Sequence, residues 1–266
     1  MVTPEELHAI MPGLPAAKNT QYLPFLQAAM TEFGIDAAAR AAAFLSQLAH
    51  ESVQLRFMEE IWGPTPAQQR YEPVTTLADR LGNTEPGDGH RFKGRGPIQI
   101  TGRANYRRFG DLLGLDLIAD PVRAADPAVA FRIAGLFWSK KGLNELADRA
   151  TADAFREITR RINGGFNGLA DREKFYAVAR TVLAVTTPPA LRGAAPRGLP
   201  PLAAEPMFER GYEAIRAVAP QRRPRKKAIK RRTSKPKPKP RATRKPLRAK
   251  PSRPKRAKSK PSKRKR

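Results

Sequence analysis

Two glutamates nine residues apart, Glu51 and Glu60, are the residues whose type and spacing could break a bond between sugars. Such hydrolysis needs two carboxyl groups in unlike surroundings. One must hold a proton for the leaving oxygen; the other must be ionised to act on water or on the sugar. On one unbroken helix, nine residues amount to about 13.5 Å of rise and about 900° of rotation, which puts the two side chains on opposite faces. The helix must therefore end between them, with Glu60 returning on an irregular segment. Glu51 then lies in the last turn of an apolar helix, where the negative end of the dipole and partial burial disfavour its ionised form, the setting of a general acid. Glu60, in a polar and wetter segment, is expected to stay ionised as a general base. Spacing alone equally allows a plainer reading, with Glu51 a solvated helix end and Glu59-Glu60 a surface pair.

Other polar residues could serve the same chemistry. The run Gly94-Arg95-Gly96-Pro97-Ile98-Gln99-Ile100-Thr101 is a close-packed backbone that presents Gln99, Thr101 and, beyond it, Asn105. Thr101 and Asn105 share a face if a helix begins at Thr101, which could also cap it. The run does not read as a phosphate loop, because G-x-G-x-x-G fails at Gln99 and Pro97 blocks a helix from the glycines. Asn163, before Gly164-Gly165, has an amide suited to an N-acetyl group; helix capping alone would also explain that turn. Arg172 sits early in a helix, where the dipole disfavours a cation, so a carboxylate partner is expected. Among the aromatic residues, Trp62, Tyr106 and Tyr176 are candidates to stack on sugar rings; Trp62 is the best placed, and Trp138 is assigned to the core. His50-Glu51 is not a zinc-protease site, since Gln54 stands where the second histidine would be. His50 reads instead as a buried hydrogen-bonding residue.

The elements that must position these groups are helices. Thr3-Pro4-Glu5-Glu6 reads as a capping box. Helices are expected over 21–33, ended by Gly34; over 37–52, capped by Asp36 and facing Phe44, Leu45 and Leu48 inward; and at 74–80, 103–113, 127–141, 152–162 and 171–185. Residues 62–97 are heavily punctuated by Gly and Pro. The class is mainly α, and the domain reading is 1–186 for the catalytic body, 187–219 for a Pro/Gly-rich extension with a possible short helix at 207–219, and 220–266 for a tail.

The chain has 266 residues and a formal net charge of +27, but that charge is not spread evenly. Residues 220–266 hold 25 Lys/Arg, nine Pro and no acidic residue, leaving a near-neutral body. The composition of 220–266 predicts disorder and binding to polyanions by counterion release: nucleic acid, lipopolysaccharide, teichoic acid or anionic lipid. There is no cysteine, so neither a disulfide nor a thiol takes part. The acidic N-terminus lacks the features of a signal peptide and no run suits a transmembrane helix, so the expectation is synthesis in the cytoplasm and action on a cell wall after release or non-classical export.

The ordered motifs Phe44-Leu45-Ser46-Gln47-Leu48-Ala49-His50-Glu51-Ser52, Phe57-Met58-Glu59-Glu60, Gly94 to Thr101, Ala104-Asn105-Tyr106, Ile162-Asn163-Gly164-Gly165 and Asp171-Arg172 resemble glycoside hydrolase family 19, the chitinases of lysozyme-like fold and their phage endolysin relatives. The resemblance covers about residues 3–185. It implies a lysozyme-like multi-helix domain that acts by inversion without metal or cofactor. It implies Glu51 as general acid, Glu60 as general base and Thr101 as a holder of the attacking water. Gln99, Asn105 and Asn163 fall on substrate-binding positions, and Arg172 on an arginine that supports the carboxylates. Inversion calls for carboxyl groups roughly 6.5–9.5 Å apart. Many endolysins have Gly-Gly after His-Glu-Ser, where this chain has Val53-Gln54.

The implied substrate is a β-1,4-linked polymer containing N-acetylglucosamine, either peptidoglycan or chitin. The compact spacing and missing cysteines favour peptidoglycan. The alternative is a polyanion- or DNA-binding protein whose lysozyme-like domain is catalytically retired, which retention of both glutamates opposes. If Glu51 is the acid, Glu51→Gln is expected to lower activity by roughly 10²–10⁴ or more and to melt near the wild type.

Overall fold

The computed structural model describes residues 1–186; the expected extension and tail lie outside the described residues. Its elements are α1 (Pro4–Ile10), α2 (Ala16–Glu32), α3 (Ala38–Glu51), α4 (Pro66–Gln69), α5 (Thr76–Leu81), α6 (Asp88–Arg91), α7 (Arg103–Leu113), a 3-10 turn (Pro121–Ala125), α8 (Pro127–Lys140), α9 (Leu143–Ala147), α10 (Ala152–Asn163) and α11 (Leu169–Val182). The mainly α reading holds: among the described residues the only β pairings are isolated bridges, Glu59 to Arg95 and Arg95 to Ile100. No helix among them is long and apolar enough to cross a membrane.

Helix α3 is the axis of the fold. Its alanines present little bulk, so neighbours close on it from several sides. Every residue from Ala41 to Glu51 is buried, including Ser46, Gln47 and His50. The inward face expected at Phe44, Leu45 and Leu48 is thus too narrow, because a helix covered all round has no solvent face to keep polar. α11 packs along α3, while α2 packs on α8 and α1 on both α2 and α11. Trp138 joins this core edge-on to Phe44, as its helical spacing implied.

The ends of the helices show where local chemistry decides. Thr3 and Glu6 form the expected capping box. Asp36 makes no cap for α3, whose first turn follows Ala37 with no side-chain acceptor. Gly34 does stop α2: its φ of +62° lets Ile35 N–H reach back to Met30 O at 2.7 Å. α5 is capped by Thr75 and α10 by Thr151.

Between α3 and α7 the chain is held by backbone contacts rather than by long helices. Glu60 N–H donates to Gly94 O at 2.8 Å and Gly96 N–H to Met58 O at 2.9 Å. These two bonds lay the Glu60 segment against the glycine-rich run. A separate small apolar cluster of Tyr71, Leu77 and Leu81 supports this region from outside the main core.

Candidate active site

Glu51 is the last residue of α3 and is 2 % exposed. Arg172, 1 % exposed, enters from the first turn of α11, and its Nη2 donates to Glu51 Oε1. This is the carboxylate partner the helix position demanded. The same guanidinium donates through Nη1 to Gln47 Oε1 and through Nε to Asn167 O at 3.4 Å. Gln47 stands one turn before Glu51 and passes the chain on, its Nε2 donating to Thr159 Oγ1 at 3.0 Å.

His50 backs this arrangement. Its Nδ1 lies 2.8 Å from Asp171 Oδ2. Burial holds the imidazole below its ordinary value; Asp171 pulls it up and the charge of Arg172 pushes it down. A carboxylate only accepts, so the neutral ring carries its proton on Nδ1. Gly168 leaves just room for the ring: a Cβ there would lie 2.2 Å from His50 Cε1.

Glu60 is 1 % exposed, which corrects the expectation of a wetter segment. The backbone pairing with Gly94 and the cover of α4 exclude solvent from it. Its Oε2 accepts from Gly94 N–H and its Oε1 from Gln68 Nε2, both at 3.0 Å. Burial pushes its carboxyl above the ordinary glutamate value; the two hydrogen bonds and the nearby Lys93 charge pull the other way without cancelling it. Glu59 next to it behaves differently. Burial raises it, but the charges of Arg95 and Lys93 outweigh that and hold it low.

Gln99 and Thr101 meet Glu60 around Gly94. A Cβ on Gly94 would lie 2.7 Å from Gln99 Oε1, 3.3 Å from Glu60 Oε2 and 3.4 Å from Thr101 Oγ1. Gln99 is buried at φ +54°, a strained conformation for a side chain of this size. Its Nε2 donates to Gly96 O, while its buried Oε1 has no hydrogen-bond partner. Thr101 Oγ1 donates to Gln99 O at 3.0 Å. Thr101 does not cap α7, which begins at Arg103; Asn83 Oδ1 accepts the Arg103 N–H instead. Asn105 is half-buried and donates to Thr101 O at 2.7 Å.

Asn163 closes α10, and its Nδ2 reaches Asn167 O, the carbonyl that also receives Arg172. The expected residues thus form two groups, Glu51 with Arg172 and Asn163, and Glu60 with Gln99, Thr101 and Asn105. Trp62 joins neither. It is half-buried, 5.2 Å from the ring of His90 and 6.2 Å from Tyr71, packed on the small cluster. Tyr106 and Tyr176 are core residues rather than sugar platforms. Tyr106 donates to Lys93 O and Tyr176 stacks on Phe155 at 4.0 Å. Among the described residues, no group of three or more His, Cys, Asp or Glu side chains could hold a metal ion.

Sequence reasoning missed Gln47 and Gln68. Gln47 carried a signal, being four residues before Glu51 and so on the same face of α3. Gln68 carried none, since it reaches Glu60 only through the fold of an irregular loop.

A helical body with two buried carboxyl groups of unlike character defines a hydrolase of lysozyme-like fold. A family model described as chitinase class I matches residues 16–148, half of the chain. A Haemophilus influenzae protein described as a glycosyl hydrolase family 19 domain-containing protein is 35 % identical over 158 residues, covering 51 % of this chain and 76 % of its own. An Arabidopsis thaliana endochitinase is 37 % identical over 174 residues, covering 62 % of this chain but only 56 % of the plant enzyme. Among solved structures, chitinase C from Streptomyces griseus matches with a TM-score of 0.56 at 25 % identity, covering 71 % of this chain and 79 % of that one. The chain belongs to glycoside hydrolase family 19.

Proposed function

We propose that the protein hydrolyses β-1,4 bonds of N-acetylglucosamine polymers by single displacement, with Glu51 as general acid and Glu60 as general base. The observation that carries this is that both carboxyl groups are buried and held by fixed partners, Glu51 by Arg172 and Glu60 by Gly94 and Gln68. Arg172 against Glu51 Oε1 stabilises the carboxylate left when the proton goes to the leaving oxygen. Glu60 lies in dry surroundings with neutral hydrogen-bond donors in contact, and its raised affinity for a proton makes it a stronger base than an ordinary glutamate. Thr101, beside Glu60, is assigned to hold the attacking water. Gln99, Asn105 and Asn163 are assigned to the acetamido and hydroxyl groups of the sugars.

Bacterial cell wall is the substrate we favour, on the short sequence spacing between Glu51 and Glu60 and the missing cysteines. Chitin is the second reading, favoured by relatives described as endochitinases. The segment 220–266, by composition, supplies attraction to polyanionic surfaces. Removing it should leave turnover of short soluble oligomers unchanged and weaken binding to anionic surfaces in a salt-dependent way.

The test is product analysis by mass spectrometry on purified peptidoglycan and on N-acetylglucosamine oligomers, with Glu51→Gln and Glu60→Gln in parallel. Muropeptides released by the wild type support the wall reading, and cleavage of the oligomers alone supports chitin. Azide attacks without needing a base, so it should restore Glu60→Gln and not Glu51→Gln. Rescue of the opposite variant would exchange the two roles.

A further inference from the structure

We propose that Gln47, braced by Thr159, is a positioning residue for the hydrolysis, fixing the Arg172 guanidinium on Glu51. This rests on the reading of Glu51 as the proton donor. A guanidinium is a rigid planar fork, and its plane is set only when several of its donors are satisfied at once. Arg172 meets three acceptors, one from each of three places: Glu51 Oε1 at the end of α3, Gln47 Oε1 one turn earlier and Asn167 O in the loop before α11. The Asn167 contact, at 3.4 Å, is the long one. Gln47 therefore supplies the second strong anchor that stops the fork from pivoting about its bond to Glu51.

Gln47 can do this only if its amide points the right way. An amide has an acceptor end and a donor end of similar shape, and the wrong rotamer would aim N–H groups at a cation. Thr159 Oγ1 takes the Nε2 end at 3.0 Å, which leaves Oε1 towards Arg172. Gln47, Thr159, Arg172 and Glu51 are all buried, so water cannot substitute for a lost partner without rearrangement. With Nη2 held on Oε1, a proton that Glu51 takes up for delivery is left to Oε2. The direction of proton delivery is thus set by α10 and α11 as well as by α3.

The effect to look for is on the chemical step rather than on binding. Gln47→Leu keeps the volume and removes both ends of the amide; Thr159→Val removes the brace with little change of shape, and Thr159→Ser restores it. Steady-state kinetics would use whichever substrate the wild type cleaves, with melting curves to confirm folding and Glu51→Gln as reference. Gln47→Leu is expected to lower kcat by about tenfold to a hundredfold with KM within about twofold. Thr159→Val is expected to lower kcat by less, and Thr159→Ser to return it towards the wild type. A folded Gln47→Leu protein with wild-type kcat, or one with only KM raised, overturns the proposal. Should Gln47→Leu not fold, an unchanged kcat in Thr159→Val overturns it instead. Full activity in Glu51→Gln would remove the underlying reading of the acid, an outcome separate from either of these.

Discussion

The two halves of the site solve the same problem by opposite means. On the Glu51 side a regular helix ends at the carboxyl group, and a buried cation meets it. On the Glu60 side an irregular segment carries the carboxyl group, and a backbone amide and a neutral side chain meet it. Neither is wet. The two carboxyl groups differ in the charge of the partners in contact, not as a dry residue set against a solvated one.

Isosteric amides at the two positions are the strongest way to break this comparison. Both should lower turnover by about 10²–10⁴ if each carboxyl group moves a proton. Stability should separate them. Glu51→Gln leaves Arg172 buried without an anion, so melting should fall, by an amount equivalent to about 3 kcal/mol. That replaces the near-normal melting which the sequence alone suggested. Glu60→Gln removes a group whose ionisation burial opposes, so it should melt at or above the wild type near pH 7.

A pH series sharpens the second half of that contrast. Because burial raises the Glu60 carboxyl, the folded protein holds that proton more tightly than the unfolded chain does. Wild-type stability relative to Glu60→Gln should fall as pH rises from the ordinary glutamate range through the raised value, and the gap should narrow below that range. Parallel melting curves of the two proteins between pH 4 and 7 would contradict the dry setting of Glu60.

Glycines of one loop give a smaller, local test of the Glu51 half. Gly164 and Gly168 have almost the same left-handed φ, +72° and +69°. A Cβ on Gly164 meets nothing within 4 Å, whereas one on Gly168 would enter the His50 ring. Gly164→Ala should cost about 1 kcal/mol, the backbone penalty alone. Gly168→Ala should cost about 2–4 kcal/mol and lower activity too, since His50 precedes Glu51. Equal denaturation midpoints for the two would show that His50 is not tightly seated.

Much of this was legible because it is local. The capping box at Thr3, the stop at Gly34, the helix ending at Glu51 and the misplaced cation at Arg172 depend on neighbours in sequence. What was not legible depends on how distant segments close. Nothing near Glu60 announces that Gln68 and Gly94 will cover it, so its setting was read as wet. Trp62 looked free for the same reason, until Tyr71 and His90 packed against it. The helices α4, α6 and α9, absent from the sequence expectations, span four, four and five residues, too short to show a periodic pattern.

The turn after Glu51 supplies the mildest test. Val53, Gln54 and Leu55 take φ values of +51°, +61° and +56°, three successive residues in the left-handed region. Two of them are tied down: Gln54 Oε1 accepts Gly13 N–H at 2.6 Å, and Leu55 is buried with its N–H on Ser52 Oγ. Val53 is half-buried, and a β-branched residue is badly suited to this conformation. Val53→Gly should therefore relieve strain of about 1–2 kcal/mol, offset by the greater freedom of glycine in the unfolded chain, for a net gain of up to about 1 kcal/mol. Gln54→Gly should gain nothing, because it also loses the bond to Gly13. If Arg172 fixes Glu51, the relaxed Val53→Gly protein should melt slightly higher and keep its kcat. Higher melting with slower turnover would mean that the left-handed turn, not the guanidinium, sets the carboxyl group.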